Sequence, residues 1–269
     1  MGLTHMQIKE LLDHSRAHEC EGVGPDHVCV KIAAIAELPS RFGQFHIFAF
    51  YNNKDDKEHV AIVRGDVTHA EEVPVRVHSE CLTGDVLGSL RCDCRDQLES
   101  ALTMIGKMEK GVLLYMRQEG RGIGLVNKIR AYGLQEHGYD TVEANLALGF
   151  RDDERDYSVA AHMLESLKIK PIQLITNNPK KIENLTKNGV KVTGRIPHIM
   201  QPNQYNRFYL ETKARKSGHL IDFGGMARLP EQADAPVVEG MNGEQIDAIQ
   251  KIYNTYTQGR SNRNSKNTR

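Results

Sequence analysis

The sequence contains no tryptophan, few aromatic residues and no excess of charge of either sign. Its 269 residues include 35 lysines plus arginines and 35 aspartates plus glutamates, so the formal net charge is zero. General binding to nucleic acid needs a strongly basic face, and this balance argues against it. The chain also lacks an apolar run long enough for a signal region or a membrane span. These absences predict a soluble, cytoplasmic protein with no membrane partner.

Cysteine is also scarce, and its distribution is uneven. There are five cysteines, which do not make a disulfide framework, so a reducing compartment is expected. Cys20 and Cys29 stand apart, whereas Cys81, Cys92 and Cys94 form a C-x10-C-x-C array. The clustered array therefore becomes the first candidate for a site.

The thiol array has three interpretations. Thiolate sulfur is a soft donor suited to Zn²⁺; structural zinc usually has four protein ligands, and catalytic zinc keeps one position open. The cysteines could be unrelated core residues, a closed structural site with His78 as the fourth ligand, or an open catalytic site with a bound water. Polar flanking residues disfavour the first alternative, and spacing alone does not separate the other two. Three thiolates outweigh the charge of the metal, and Arg91 or Arg95 would help to offset the excess.

The stretch that leads into the array, residues 73–79, alternates apolar and polar residues as a strand does. Its valines are predicted to face a core, and Arg76, His78 and Glu80 to share an opposite, exposed face. Three β-rich runs precede it, and helical and buried-strand patterns alternate after it. We therefore predict one α/β domain over residues 27–222, with an N-terminal extension, residues 1–26, and a C-terminal extension, residues 223–269. Within the extensions we predict an amphipathic helix at 6–17, a short helix near 244–256 and a disordered basic tail.

A glycine-rich turn, QEGRGIG at residues 118–124, joins a buried strand to a helix. Backbone N–H groups at such a turn can hold phosphate, although this is neither a Walker loop nor G-x-G-x-x-G. Glu119 and Arg121 in the turn favour a functional role. On the helix that follows, packing is expected for Tyr132 and a solvated position for Lys128.

Two later stretches carry charge of interest. Residues 139–156 have no clear period and are predicted to be a functional loop or an exposed linker. Asn178 and Pro179 are typical of the start of a helix, and Asn188-Gly189 of its end. Lys180 and Lys181 lie in the first turn of that helix, where the dipole disfavours cations, so an anion is expected to bind there.

Four stretches together carry a resemblance to a known family: RVHSECLTGDVLGSLRCDCRDQL, LLYMRQEGRGIGLVNKIRAYGLQEHGYDTVEAN, LGFRDDERD and LITNNPKKIENLTKNG. In this order they resemble GTP cyclohydrolase II, the zinc enzyme that opens riboflavin biosynthesis, over roughly residues 27–220. The resemblance implies a three-layer α/β/α fold with a mixed central sheet, and a homodimer. Bifunctional relatives carry an added synthase domain, for which this chain is too short, so a single activity is expected.

The resemblance also implies the reaction. The enzyme hydrolyses GTP, opens the imidazole ring, and releases formate and pyrophosphate to give 2,5-diamino-6-ribosylamino-4(3H)-pyrimidinone 5′-phosphate. Implied cofactors are one Zn²⁺ per subunit, held by Cys81, Cys92, Cys94 and a water, and Mg²⁺ with the GTP phosphates. The implied GTP contacts are Arg76, Val77, His78, Ser79, Glu80, Gln97, Glu119, Gly120, Arg121, Thr141, Thr176 and Lys181. Glu119 is our candidate for accepting hydrogen bonds from the guanine N1/N2 edge.

Three further roles follow from the family. Arg155 is proposed there as the nucleophile at the α-phosphate, and Asp153 as its proton acceptor. Because a guanidinium is protonated near neutrality, clamping the phosphate is the alternative task for Arg155. A tyrosine at the position of Tyr132 is associated with complete loss of formate, so full release is expected.

Two alternatives to this function stay open. One is a paralogue that stops at the formamidopyrimidine nucleotide or prefers another purine triphosphate. The other is a zinc-stabilised nucleotide-binding module without turnover, for which we would expect Asp153, Arg155 or a zinc cysteine to be lost. All of these residues are present.

Overall fold

A mixed seven-stranded sheet forms the centre of this computed structural model, which describes residues 3–17 and 27–220. The strands are β1 (Val30–Ser40), β2 (Gly43–Asn52), β3 (His59–Arg64), β4 (Val73–Ser79), β5 (Gly111–Met116), β6 (Ile172–Ile175) and β7 (Val192–Ile196). Their order across the sheet is β1-β2-β3-β5-β4-β6-β7. The first three strands and β5 pair antiparallel, whereas β5, β4, β6 and β7 run parallel.

Helices cover both faces of this sheet. They are α1 (His5–Ala17), α2 (Cys94–Lys107), α3 (Leu125–Gln135), α4 (Thr141–Ala147), α5 (Ser158–Ser166), α6 (Pro179–Lys187) and α7 (Arg207–Ser217). The larger core lies where α1, α5 and α6 pack on one face, and the smaller core lies under α2 on the other. This confirms the α/β class and the three-layer α/β/α arrangement. None of the described helices is both long and apolar enough to cross a bilayer.

The parallel half of the sheet determines where a site can form. From β4 the chain crosses by α2 to β5 on one side, and it later returns by α5 to β6 on the other side. The chain thus reverses its direction across the sheet, with β5 on one side of β4 and β6 on the other, and ligands of open α/β sheets bind at the carboxyl ends of strands beside such a point. The thiol array, the glycine-rich turn and residues 176–178 all follow the carboxyl ends of these strands.

Local capping explains several helices. The side chain of Asn178 accepts a hydrogen bond from the N–H of Lys180 (3.0 Å), Pro179 opens α6, and Gly189 beyond its end has φ +82°, all as predicted. The predicted helix at 6–17 is α1, whose Leu11 is buried in the larger core. The helix predicted near 244–256 and the basic tail lie outside the described residues, and the division at residues 26 and 222 stays a prediction.

Two local predictions were wrong. Residues 139–156 contain α4, which opens with a capping box in which Asp140 and Glu143 bond to each other's backbone N–H. Arg76 and His78 do not lie on an exposed face of β4, since they are only 5% and 3% exposed. The reason is that β4 lies between β5 and β6 and is covered on both faces.

Candidate active site

The three clustered cysteines meet in space. Cys81 follows β4, and Cys92 and Cys94 lie at the start of α2. Their sulfurs lie within 4.8 Å of one another, and Cys81 Sγ is 3.7 Å from Cys92 Sγ. In a tetrahedral zinc site with Zn–S bonds of about 2.3 Å, sulfurs are separated by about 3.8 Å. In the described part of the chain, these three cysteines are the cluster of potential ligands that could hold a metal ion.

Gly84 shapes the space between the sulfurs. Its N–H donates a hydrogen bond to Cys81 Sγ at 3.3 Å. A Cβ atom at this position would lie 2.9 Å from Cys92 Sγ and 3.0 Å from Cys81 Sγ. The backbone can come this close to the thiols because residue 84 is glycine and has no side chain. The three sulfur donors are a ligand set that fits zinc.

His78 does not join the thiols. Its Nε2 lies 3.0 Å from the Asp85 carboxylate, and its ring stacks on Tyr115 with centroids 5.5 Å apart. Asp85 also accepts hydrogen bonds from the Tyr115 hydroxyl (2.8 Å) and the Cys81 N–H (3.0 Å). Burial holds the pKa of His78 below its ordinary value. This geometry does not support the closed alternative with His78 as the fourth ligand.

The cation beside the thiols is Lys128, which was expected to be solvated. It is only 9% exposed, and its Nζ donates to Cys81 Sγ at 3.0 Å and to Glu119 Oε1 at 2.7 Å. Burial opposes its charge, but Glu119 and Cys81 outweigh burial and raise the pKa of Lys128. Arg91 pairs with Glu136, just beyond α3, and Arg95 with Glu99 on α2, so the role predicted for them in offsetting thiolate charge stays a prediction.

A cavity of about 540 Å³ opens beside the sulfurs, and we call it the thiol cavity. Its walls come from the array, the glycine-rich turn, α3, α4 and α7. The predicted site residues in its walls are Ser79, Glu80, Cys81, Cys92, Cys94, Glu119, Gly120, Arg121, Tyr132, Thr141 and Arg155. The Tyr132 hydroxyl lies 3.2 Å from Thr83 Oγ1, which is itself 3.6 Å from Cys81 Sγ.

A second, narrower cavity adjoins the first, and we call it the cationic cavity. Its walls include five cationic side chains, those of Arg76, Arg121, Arg155, Lys181 and Lys213, and a single carboxylate, that of Asp93. Gln97, Thr176 and His78, which are predicted GTP contacts, also line it. The walls shared by both cavities are Ser79, Cys94, Arg121, Arg155 and Tyr209. One ligand could thus extend from the thiols into the cationic cavity.

Three of the cations in this second cavity, Arg121, Arg155 and Lys213, pair with aspartates. The other two, Arg76 and Lys181, have no carboxylate partner among the described residues. Burial lowers the pKa of Arg76 to about 10, and burial with nearby Arg76 and Arg155 holds the pKa of Lys181 well below its ordinary value. Lys181 donates to the carbonyl of Val77 at 2.7 Å, and Arg76 to the carbonyl of Ile175 at 2.9 Å. Buried cations held by neutral carbonyls are typical of a site for an anion such as phosphate.

A family model described as GTP cyclohydrolase II matches residues 31–197, which is more than half of the chain. The chain belongs to the GTP cyclohydrolase II family. It is 58% identical over 186 residues to a GTP cyclohydrolase-2 from Picrophilus torridus, with 69% of this chain and 96% of the relative covered.

Longer relatives show the same likeness. Riboflavin biosynthesis proteins RibBA from Synechocystis sp. and Bacillus mycoides are 55% and 51% identical over 194 and 215 residues. These alignments cover 71% and 80% of this chain. The chain spans only 35% and 52% of the length of these two relatives.

The family positions Arg155 and Asp153 form one unit. Arg155 Nε donates to Asp153 Oδ1 at 2.8 Å, and a second guanidinium nitrogen bonds to the other oxygen. Burial opposes both charges, yet Arg155 lowers the pKa of Asp153, and Tyr157 together with Asp153 raises the pKa of Arg155. Arg155 borders both cavities, whereas Asp153 lines neither and lies behind it.

Two predicted GTP contacts have structural partners of their own. Val77 lines neither cavity, because its side chain is buried in the core and its carbonyl holds Lys181. Glu119 accepts hydrogen bonds from the N–H groups of Leu82 (2.6 Å) and Gly120 (2.7 Å) as well as from Lys128. Its role in guanine recognition stays a prediction.

Sequence reasoning missed several site residues. Besides Lys128, they are His198, Tyr209, Lys213 and His219, which line the cationic cavity. Tyr209 and Lys213 are spaced to share one face of α7, a signal that could have linked them to each other but not to this cavity. His198 has no comparable sequence signal.

Proposed function

We propose that this chain hydrolyses GTP as a GTP cyclohydrolase II. The reaction opens the imidazole ring, releases formate and pyrophosphate, and gives 2,5-diamino-6-ribosylamino-4(3H)-pyrimidinone 5′-phosphate at the start of riboflavin biosynthesis. The observation that carries the proposal is the junction of the two cavities at Arg155, Arg121 and Ser79. There a single nucleotide can place its purine beside the thiols and its phosphates among the buried cations.

Cys81, Cys92 and Cys94 would hold one Zn²⁺ per subunit, with water as the fourth ligand. Zinc there would supply the Lewis acidity that activates water for attack at C8 of the purine. The protein's own contribution is to hold the purine in the thiol cavity, where Tyr132, Thr141 and Glu80 face it. Mg²⁺ would enter with the phosphates and offset their charge together with the cationic cavity.

Arg76, Gln97, Thr176 and Lys181 would contact the phosphates, with Arg121 and Arg155 at the α-phosphate. The raised pKa of Arg155 and the lowered pKa of Asp153 favour a phosphate clamp over a nucleophile, because a guanidinium that keeps its proton has no free electron pair. Asp153 then orients Arg155 and accepts no proton from it. Val77 acts behind the site, where its carbonyl holds Lys181. His78 lies in the wall of the cationic cavity, where Asp85 holds its ring.

A homodimer and a cytoplasmic location belong to the same proposal and rest on the family alone. Light scattering of the purified protein tests the first, because a dimer has twice the 30.3 kDa mass of the chain. Fractionation of cells tests the second.

The decisive assay measures formate and pyrophosphate released from GTP, with and without a strong zinc chelator. The proposal predicts equal amounts of both products and loss of formate after chelation. Pyrophosphate with an accumulating formamidopyrimidine nucleotide would indicate the paralogue that stops early. Tight GTP binding without either product would indicate a non-catalytic module, and the proposal would be wrong.

A further inference from the structure

Lys128 has an environment that the proposed reaction does not by itself require. It lies in the interior of α3 and is buried, although lysine is seldom buried without partners. Its two partners are Cys81 Sγ at 3.0 Å and Glu119 Oε1 at 2.7 Å. Neutralising Glu119 does not require contact with a thiol, so the bond from Lys128 to Cys81 needs a separate explanation.

Glu119 extends this contact to the backbone of the thiol array. Its other oxygen accepts the N–H of Leu82 at 2.6 Å, and Leu82 directly follows Cys81. The close approach depends on Gly120, whose φ is +62° and whose missing Cβ would lie 3.0 Å from Lys128 Cβ. Cys81 is thus held twice, at its sulfur by Lys128 and at the next peptide by Glu119.

The chemistry of this contact concerns the sulfur. A hydrogen bond from an ammonium group withdraws electron density from a thiolate, so that the thiolate donates less charge to a bound metal. Three thiolates overcompensate the charge of Zn²⁺ and would weaken its ability to activate water. The ammonium group of Lys128, fixed beside the Cys81 thiolate, reduces this excess of negative charge at the sulfur itself.

We propose that Lys128 is a positioning residue for the metal centre: it holds the Cys81 thiolate by an N–H···S hydrogen bond and thereby tunes the bound metal. The proposal rests on the proposed zinc site, and it adds a residue in the wall of the thiol cavity that acts on the metal through Cys81. Glu119 is its anchor, which gives that carboxylate a structural task.

The test makes two measurements on the full-length protein. In the Co²⁺-loaded protein, the thiolate-to-metal charge-transfer band reports the electron density on sulfur. Zinc affinity is measured separately, by competition with a chromophoric chelator. In Lys128→Met we expect the band to move to longer wavelength, because the sulfur regains electron density. The zinc dissociation constant should rise about tenfold, because the Cys81 thiolate loses the cation that offsets its charge and fixes its position. Lys107→Met, which removes an exposed lysine at the end of α2, is the matched control and should change neither quantity.

A folded Lys128→Met protein with an unshifted band and unchanged zinc affinity would overturn the proposal. If that variant does not fold, Lys128→Gln decides, because its weaker donor should give a smaller shift in the same direction and no shift would contradict us. These measurements need no GTP. Formate release by the wild type with no shift in the variants would therefore leave the proposed function intact and remove only the role of Lys128.

Discussion

The thiol cavity and the cationic cavity share five wall residues, yet they offer a ligand different chemistry. The thiol cavity is the wider one and combines soft metal donors with the ring of Tyr132. The cationic cavity is narrow and has five cationic side chains in its walls, of which Arg76 and Lys181 have no carboxylate partner among the described residues. The difference suggests that attack on the purine takes place in the thiol cavity and cleavage at the phosphates in the cationic cavity. Arg155 lies where the two cavities join. Substitutions should therefore affect one half of the reaction more than the other, except at the shared wall.

The largest effect is expected where the cavities meet. Arg155→Lys keeps a positive charge but loses the two-nitrogen contact with Asp153, so turnover should fall by roughly 10²–10³-fold, and both formate and pyrophosphate release should suffer. Product analysis by chromatography measures both. As a clamp, Arg155 should give no covalent guanylyl-protein in quenched wild-type turnovers. A trapped adduct that disappears in the variant would show instead that Arg155 is the nucleophile.

Gly84→Ala tests the thiol cavity alone. The added Cβ would enter the space between Cys81 and Cys92, so bound zinc should fall and formate release should drop by about 100-fold, with GTP binding retained. Metal analysis and equilibrium binding measure the two effects. Gly194→Ala is the control, because its Cβ meets only a side chain at 3.6 Å. Full zinc content in Gly84→Ala would show that the thiol array can accept a methyl group between Cys81 and Cys92.

Lys181→Met tests the cationic cavity alone. Loss of a buried cation should raise KM for GTP by about 10–100-fold while zinc content stays unchanged. A steady-state titration gives KM, and metal analysis is the control. An equal loss of zinc would mean that the two cavities are not independent.

The same lysine predicts a pH dependence. Burial and the neighbouring arginines lower the pKa of Lys181 in the free protein, and a bound phosphate favours the ammonium and raises it again. Between these two values GTP binding must take up a proton, so affinity falls as pH rises through that range. Calorimetry in buffers of different ionisation enthalpy should detect this uptake in the wild type and lose it in Lys181→Met. Proton release on binding would contradict the assignment.

The smallest effect is expected at Tyr132. Tyr132→Phe removes a hydroxyl that bonds to Thr83 beside Cys81, so formate release should slow about fivefold. A ring-opened formamide nucleotide should then accumulate while pyrophosphate release continues. Mass spectrometry of the products measures this, and equal slowing of both products would place Tyr132 outside the formate step.

Local signals predicted much of this molecule. The thiol spacing, the glycine-rich turn and the caps of α6 depend on neighbours in sequence, and each appears where it was expected. The burial of Arg76 and His78 was missed because strand order, which makes β4 central, is decided by long-range pairing. Lys128 was missed for a similar reason: the face of α3 that meets Cys81 is set by tertiary packing. The helix α4 is different, since its capping box was legible in the sequence.

The central claim is that metal chemistry in the thiol cavity can be removed without removing the nucleotide from the cationic cavity. Cys92→Ser tests it most directly, by measuring zinc content, GTP affinity and formate release on one preparation. We expect zinc to be lost and formate to fall to background, while GTP binds within about threefold of the wild-type affinity, because none of the buried cations has changed. Undiminished formate release by this variant would contradict the account.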